Sequence, residues 1–176
     1  QPVRPQPVEP PLPIAPRLLP DVISVSACEA LRACPYRFFS RVMLGLFDIR
    51  ESDDDADRRD HGRWLHETLE RFHRQRSAGH SIEQETQALI EIGEEVRGEA
   101  HFEIEAFLPF EAGFQPIARA YAQWLHERDG EGARWEEGEW QIETVPADWP
   151  VRLRGRIDRL DRLAKPRGAV QVLDYK

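Results

Sequence analysis

Apolar residues recur three and four apart through the middle of the chain and two apart near its end, so helices are expected first and strands last. In "DRRDHGRWLHETLERFHRQRSAG", Trp64, Leu65, Leu69 and Phe72 keep helical spacing, and Gly79 stands where a stop is expected. A second helix is predicted over residues 81–100, with Ser81 and Gln84 as its cap and Leu89, Ile90, Ile92 and Val96 as its apolar stripe. A third is predicted from Pro116 to Arg128, carrying Ile117, Tyr121, Trp124 and Leu125. Earlier, Ser26 followed by Glu29 reads as a capping box opening a short helix that Pro35 breaks. A second short helix then presents Tyr36, Phe38, Phe39, Val42 and Met43 for core packing. From Trp135 to Val145 the alternation is imperfect; from Val151 to Leu163 it is clear, with a possible kink at Gly155. The run "AVQVLDYK" supplies a last short strand. Three consecutive strands after a helical region predict an α/β sheet with helices packed on it, beginning as an antiparallel meander.

Composition bounds this picture. Eight prolines in Gln1–Pro20 predict an extended linker or disordered tail, leaving residues 21–176 as the domain. A linker suggests an upstream region of a longer parent protein, although a free tail would look identical. The acidic "ESDDDAD" reads as a solvated loop. Cys28 and Cys34 form neither a disulfide framework nor a metal set. The net charge of −8 argues against wholesale binding of a polyanion, so any affinity for nucleic acid must be local. It has a place to reside. Seven basic residues, Arg152, Arg154, Arg156, Arg159, Arg162, Lys165 and Arg167, face only Asp158 and Asp161 in the same stretch. Alternation sets Arg152, Arg154 and Arg156 on one face, where they could engage phosphates or pair with Glu139 and Glu143 of the adjoining strand. No apolar run reaches membrane-spanning length and no signal pattern opens the chain; a cytoplasmic location is the expectation.

Candidate chemistry gathers at the strand ends. Asp174 and Lys176 share a face two residues apart, and Asp158 lies in the preceding strand. If the two strands are neighbours, the carboxylates approach each other, and a hard divalent cation such as Mg²⁺ or Mn²⁺ relieves their repulsion. A lysine beside it could orient water or stabilise charge on a phosphodiester under attack. The bland alternative is an exposed strand end with ordinary ion pairs.

"GRIDRLD" followed by "VLDYK" resembles the two central motifs of the PD-(D/E)XK nuclease superfamily, particularly exonuclease domains of the RecB and AddB type. "SVSACEALRACPYRFF" is similar to that family's helical opening, and "HGRWLHETLERF" to the helix that brings in its metal-binding histidine. The resemblance covers Ile23 to Lys176, with a variable helical insert between Ser77 and Trp135. It implies a restriction-endonuclease-like α/β sheet flanked by helices, with a helical N-terminal part; the family continues past the Asp-x-Lys strand, so the chain is expected to be truncated there. It further implies that His66, Asp158, Asp174 and the Tyr175 carbonyl ligate Mg²⁺ or Mn²⁺, and that Lys176 acts on the attacking water. DNA would be the substrate, and a helicase-like region an upstream partner. The three further cysteines that hold an iron–sulfur cluster in AddB-like members have no counterpart, so no cluster is supported. From the residues alone, His73 and Glu70, on the same side of the helix as His66, read as solvated surface. A catalytically silent module that binds DNA or a partner protein is the rival to a nuclease.

Overall fold

The computed structural model describes residues 16–46, 53–100, 104–166 and 168–175, the side chains of 53–58, 104–106 and 111 excepted. Most of the proline-rich linker, and Lys176, therefore lie outside the described residues. The elements run β1 (Val22–Ser24), α1 (Val25–Ala33), α2 (Pro35–Phe38), a π-turn at Phe39–Met43, α3 (Asp53–Gln75), α4 (Ile82–Ala100), α5 (Ile104–Gly130), β2 (Ala133–Thr144), β3 (Arg152–Leu163) and β4 (Val170–Leu173). This is the expected α/β order, helices first and strands last.

The described residues fall into two compact units, one within 1–49 and 143–155, the other within 50–142 and 156–176. In the first, β1 pairs in parallel with the start of β3, Val22 to Ser24 opposite Arg152 to Arg154. This strand is absent from the sequence reading because three residues are too few to show a period. Ser24, with extended backbone, accepts from the Ala27 N–H and caps α1. The cap therefore sits two residues before the expected Ser26. Pro35 does break the helix: α1 ends at Ala33, and Pro35 opens α2 in the first turn, where its missing N–H costs nothing. Ile23, Ala27, Phe38 and Val151 form this unit's buried cluster.

The second unit is built on three long helices. Trp64, Leu69 and Phe72 of α3, Leu89, Ile92 and Val96 of α4, and Phe107, Phe114, Ala118 and Leu125 of α5 make one core. Each large side chain buried there contributes about 1.5–3 kcal/mol. Trp64 anchors it: its ring meets Phe107 and Phe114 edge-on, and its indole N–H donates to the Gly93 carbonyl at 2.7 Å. A methyl group on Gly93 would stand 3.0 Å from the Trp64 ring, so only glycine admits this approach without a shift. The Ser81–Gln84 cap forms reciprocally, as expected. Two boundaries differ from expectation. The backbone of α3 already begins at Asp53, within the stretch expected to be an acidic loop, and α5 starts at Ile104 and runs through Pro109 and on past Pro116, the start expected from the sequence.

In the sheet, β3 lies between β1 and β2, and β4 also pairs with β3. The β3–β4 pairing is antiparallel, Arg159 opposite Leu173 and Asp161 opposite Gln171. No break interrupts β3 at Gly155. Among the described residues no helix is long and apolar enough to cross a membrane.

Candidate metal centre

The β3–β4 register decides what happens at the strand ends. Continuing the pairing one residue beyond Arg159 and Leu173 sets Asp158 opposite Asp174. Asp174 acts on the Asp158 carboxyl from the facing strand end, and the Tyr175 backbone N–H donates to Asp158 Oδ2 at 2.8 Å. Burial pushes the Asp158 carboxyl above its ordinary range, the Tyr175 N–H and His66 oppose this, and Asp174 adds to it.

His66 reaches the same place from α3. Its Nδ1 lies 2.8 Å from Glu139 Oε1 and 3.7 Å from Asp158 Oδ1, and its ring stands edge-on to Tyr175 at 5.6 Å. Donor atoms of His66, Glu139 and Asp158 all lie within 4.8 Å of one another. Of the expected ligand residues, His66 and Asp158 come together with Glu139, and Asp174 acts on Asp158; the contacts Tyr175 makes here are through its backbone N–H and its ring, and Lys176 lies outside the described residues.

Glu139 enters this group unforeseen as a ligand. The sequence reading had it only as an arginine partner, which it also is: Oε2 lies against the Arg156 guanidinium. That contact is not aligned as a hydrogen bond, so Oε2 is a buried acceptor without one. The Glu139 backbone has φ 50°, in the left-handed region that non-glycine residues rarely adopt inside a strand. A strained position held by its surroundings is a recurrent property of functional sites. The imperfect alternation of "WEEGEWQIETV" was its trace in the sequence.

The donor set fits a hard divalent ion. One imidazole and two carboxylates gather in a small volume, a third carboxyl, Asp174, raises the pKa of Asp158, and one buried oxygen lacks an aligned donor.

Behind the cluster lies a buried polar network. Arg159 is 2 % exposed and Asp161 0 %, and Arg159 donates to Asp161 through Nε and Nη2 at 2.6 and 3.0 Å. Arg128 donates to the same carboxylate at 2.8 Å, and both guanidinium groups lie over the Trp124 ring. Arg159 Nη1 also reaches His73 Nε2 at 3.0 Å and the Tyr121 hydroxyl at 2.8 Å. Arginine only donates, so His73 Nε2 accepts and carries no proton. The Tyr121 hydroxyl, 2.7 Å from Nε2, therefore donates to it and accepts from Arg159 and from the Tyr175 hydroxyl at 3.0 Å. Tyr175 is thus tied at its backbone to Asp158 and at its hydroxyl to the network.

His73 corrects the sequence reading. It is 5 % exposed, stacked on Trp135, and its pKa is held down to about 2 by burial and then by the charges of Arg159 and Arg76. Glu70 is likewise part-buried and paired with Arg74. His73 is not solvated surface, because β3 presents Arg159 on its buried face and this charge needs polar partners; Glu70 is held part-buried near Glu139 and Arg156. Arg152 and Arg154 both pair with Glu143, and Arg156 with Glu139; the three arginine side chains remain 52, 60 and 58 % exposed.

A family model described as the PD-(D/E)XK nuclease superfamily matches residues 22–176. The chain belongs to the PD-(D/E)XK nuclease superfamily. Its mixed α/β architecture is consistent with the restriction-endonuclease-like fold, and membership carries a nuclease-type function. PD-(D/E)XK nucleases typically use a divalent metal, and the His66, Glu139 and Asp158 group supplies ligands of the right kind. The chain matches none of the curated proteins compared with it.

Proposed function

We propose that this chain is a metal-dependent deoxyribonuclease domain of the RecB-like exonuclease type, hydrolysing phosphodiester bonds in DNA recombination or repair. The observation that carries the reading is the convergence of His66, Glu139 and Asp158 donor atoms within 4.8 Å, with Asp174 opposite Asp158 in the strand register. His66, Asp158, Asp174 and the Tyr175 carbonyl would hold Mg²⁺ or Mn²⁺, with Glu139 as a further ligand. When bound, the ion supplies Lewis-acid polarisation of a phosphoryl oxygen and a lowered pKa for water.

The chain's own groups have separate tasks. Tyr175 orients Asp158 through its backbone N–H, and Arg156 neutralises Glu139. Lys176, two residues after Asp174, is assigned to the attacking water. Arg152, Arg154 and Arg156 are assigned to DNA phosphates; the pairs of Arg152 and Arg154 with Glu143 are exposed and worth little, so phosphate competes for them at small cost, whereas Arg156 turns to phosphate once a metal ion takes over the charge of Glu139. DNA and a helicase-like upstream region are the partners this reading implies, in the cytoplasm; both rest on the motif resemblance.

The test is cleavage of linear DNA in Mn²⁺, comparing wild type with Asp174→Ala. Loss of cutting in the variant supports the assignment. Equal cutting by both would remove it, and DNA binding without cutting by either would favour the silent module.

A further inference from the structure

Beside the carboxylate cluster is a cavity of about 500 Å³ whose lining is mostly apolar. Leu65 and Leu69 of α3, Ile117 and Ala118 of α5, and the rings of Tyr121 and Tyr175 form its walls, and His66 and Asp174 belong to the same lining. Its size falls within the roughly 300–1,000 Å³ of small-molecule sites. An open apolar hollow against a charged centre is unfavourable unless something apolar fills it. Both tyrosine hydroxyls are already engaged, Tyr121 by His73 and Arg159, Tyr175 by Tyr121. What the tyrosines can add to a ligand is therefore ring surface, which suits stacking and is indifferent to the pattern of edge donors and acceptors.

We propose that this cavity is a nucleobase subsite, taking the unstacked base of a nucleotide next to the phosphodiester held at the His66–Asp158–Asp174 cluster. The proposal rests on the nuclease reading for the position of the phosphate. Continuity selects the occupant: His66 and Asp174 line the same cavity as Tyr121, Tyr175 and Ile117, so a ligand whose polar end lies at the cluster sets its flat apolar part against those side chains. A base within an intact duplex cannot make that entry without leaving its stack, which costs a few kcal/mol. The subsite accordingly favours single strands and frayed ends, with little preference among bases.

The experiment measures equilibrium binding by fluorescence anisotropy, with Ca²⁺ in place of Mn²⁺, for a short single-stranded oligodeoxynucleotide and the same backbone carrying abasic sites. Wild type is compared with Ile117→Trp; Ile117 lines the cavity and is 54 % exposed, so the larger ring takes up cavity space without loading the core. The expected result is about tenfold weaker binding of the base-bearing strand by the variant, with abasic binding unchanged. Equal loss for both strands, no loss for either, or no binding of DNA by wild type would overturn the subsite. Hydrolysis in Mn²⁺ is scored separately. Base-dependent binding blocked by Ile117→Trp without any cleavage leaves the subsite standing and the nuclease reading fallen. Cleavage of base-bearing and abasic strands with equal kcat/KM, unaffected by Ile117→Trp, does the reverse.

Discussion

Replacing Tyr121 by Phe removes one oxygen atom and tests whether the buried network behind the metal centre is a single cooperative unit. The hydroxyl makes three contacts, with His73 at 2.7 Å, Arg159 at 2.8 Å and Tyr175 at 3.0 Å. His73 Nε2 and Arg159 Nη1 keep each other at 3.0 Å after the change, so neither is wholly abandoned. The Tyr175 hydroxyl loses the partner described for it, and the Arg159 charge loses one acceptor. Leaving a buried polar group without its partner costs about 1–3 kcal/mol, more where a charge is involved, so a loss of about 2 kcal/mol is expected. Shape is conserved, so no cavity term adds to it. For a chain of this size that corresponds to a fall in Tm of about 4–8 °C. Urea unfolding followed by tryptophan fluorescence should show a lower midpoint with an unchanged slope. A destabilisation below about 0.5 kcal/mol would refute the reasoning, since exposed and uncoupled hydroxyls give values of that order.

His73 stays neutral in the folded chain down to about pH 2, whereas the unfolded chain takes up a proton near pH 6.5. The unfolded state therefore binds more protons between those values, and this stabilisation, complete above pH 6.5, is lost at about 1.4 kcal/mol per pH unit as pH falls. Comparing the pH dependence of unfolding free energy in wild type and His73→Gln should show that difference in slope; parallel curves would contradict it. Gly93→Ala should destabilise by about 1–3 kcal/mol although alanine is the better helix former by about 1 kcal/mol, because the added methyl meets Trp64 and Phe114 at 3.0 and 3.2 Å. A gain in thermal stability would show that the core yields there. Glu139→Gln should weaken Mn²⁺ binding by about tenfold or more in a calorimetric titration, whereas an unchanged affinity would confine Glu139 to its ion pairs. Changing Arg152 and Arg154 together to Gln should lower the slope of log affinity for DNA against log salt by about 2, and an unaltered slope would remove them from the phosphate path.

Much of this fold was legible because long amphipathic helices and alternating strands advertise themselves. The Trp64, Leu69, Phe72 stripe and the Leu89, Ile92, Val96 stripe both face the core as their spacing requires. Short or locally overridden elements were not. Three residues of β1 carry no period, and α5 continues through Pro109 and Pro116 against the local rule, with Phe107 and Phe114 buried in the core. At the candidate site, His66 and Asp158, which the structure brings together, could be named as candidates because the motifs that carry the resemblance have fixed order along the chain. Glu139 could not, because its role depends on a backbone turned to positive φ and on a pairing with β3 that brings Arg156 and His66 to the same carboxylate. Arg159 and Asp161 misled for a similar reason. Charged residues on a strand ordinarily face water, and only the placement of Arg128, Tyr121, His73 and Trp124 around them makes the buried face polar.

Crystals soaked in Mn²⁺ and measured for anomalous scattering test the central claim most directly. The account predicts a single strong peak bonded to His66, Asp158 and Asp174, with Glu139 turned toward it and drawn from its contact with His66. A peak elsewhere, or no peak while His66 remains paired with Glu139, would contradict it.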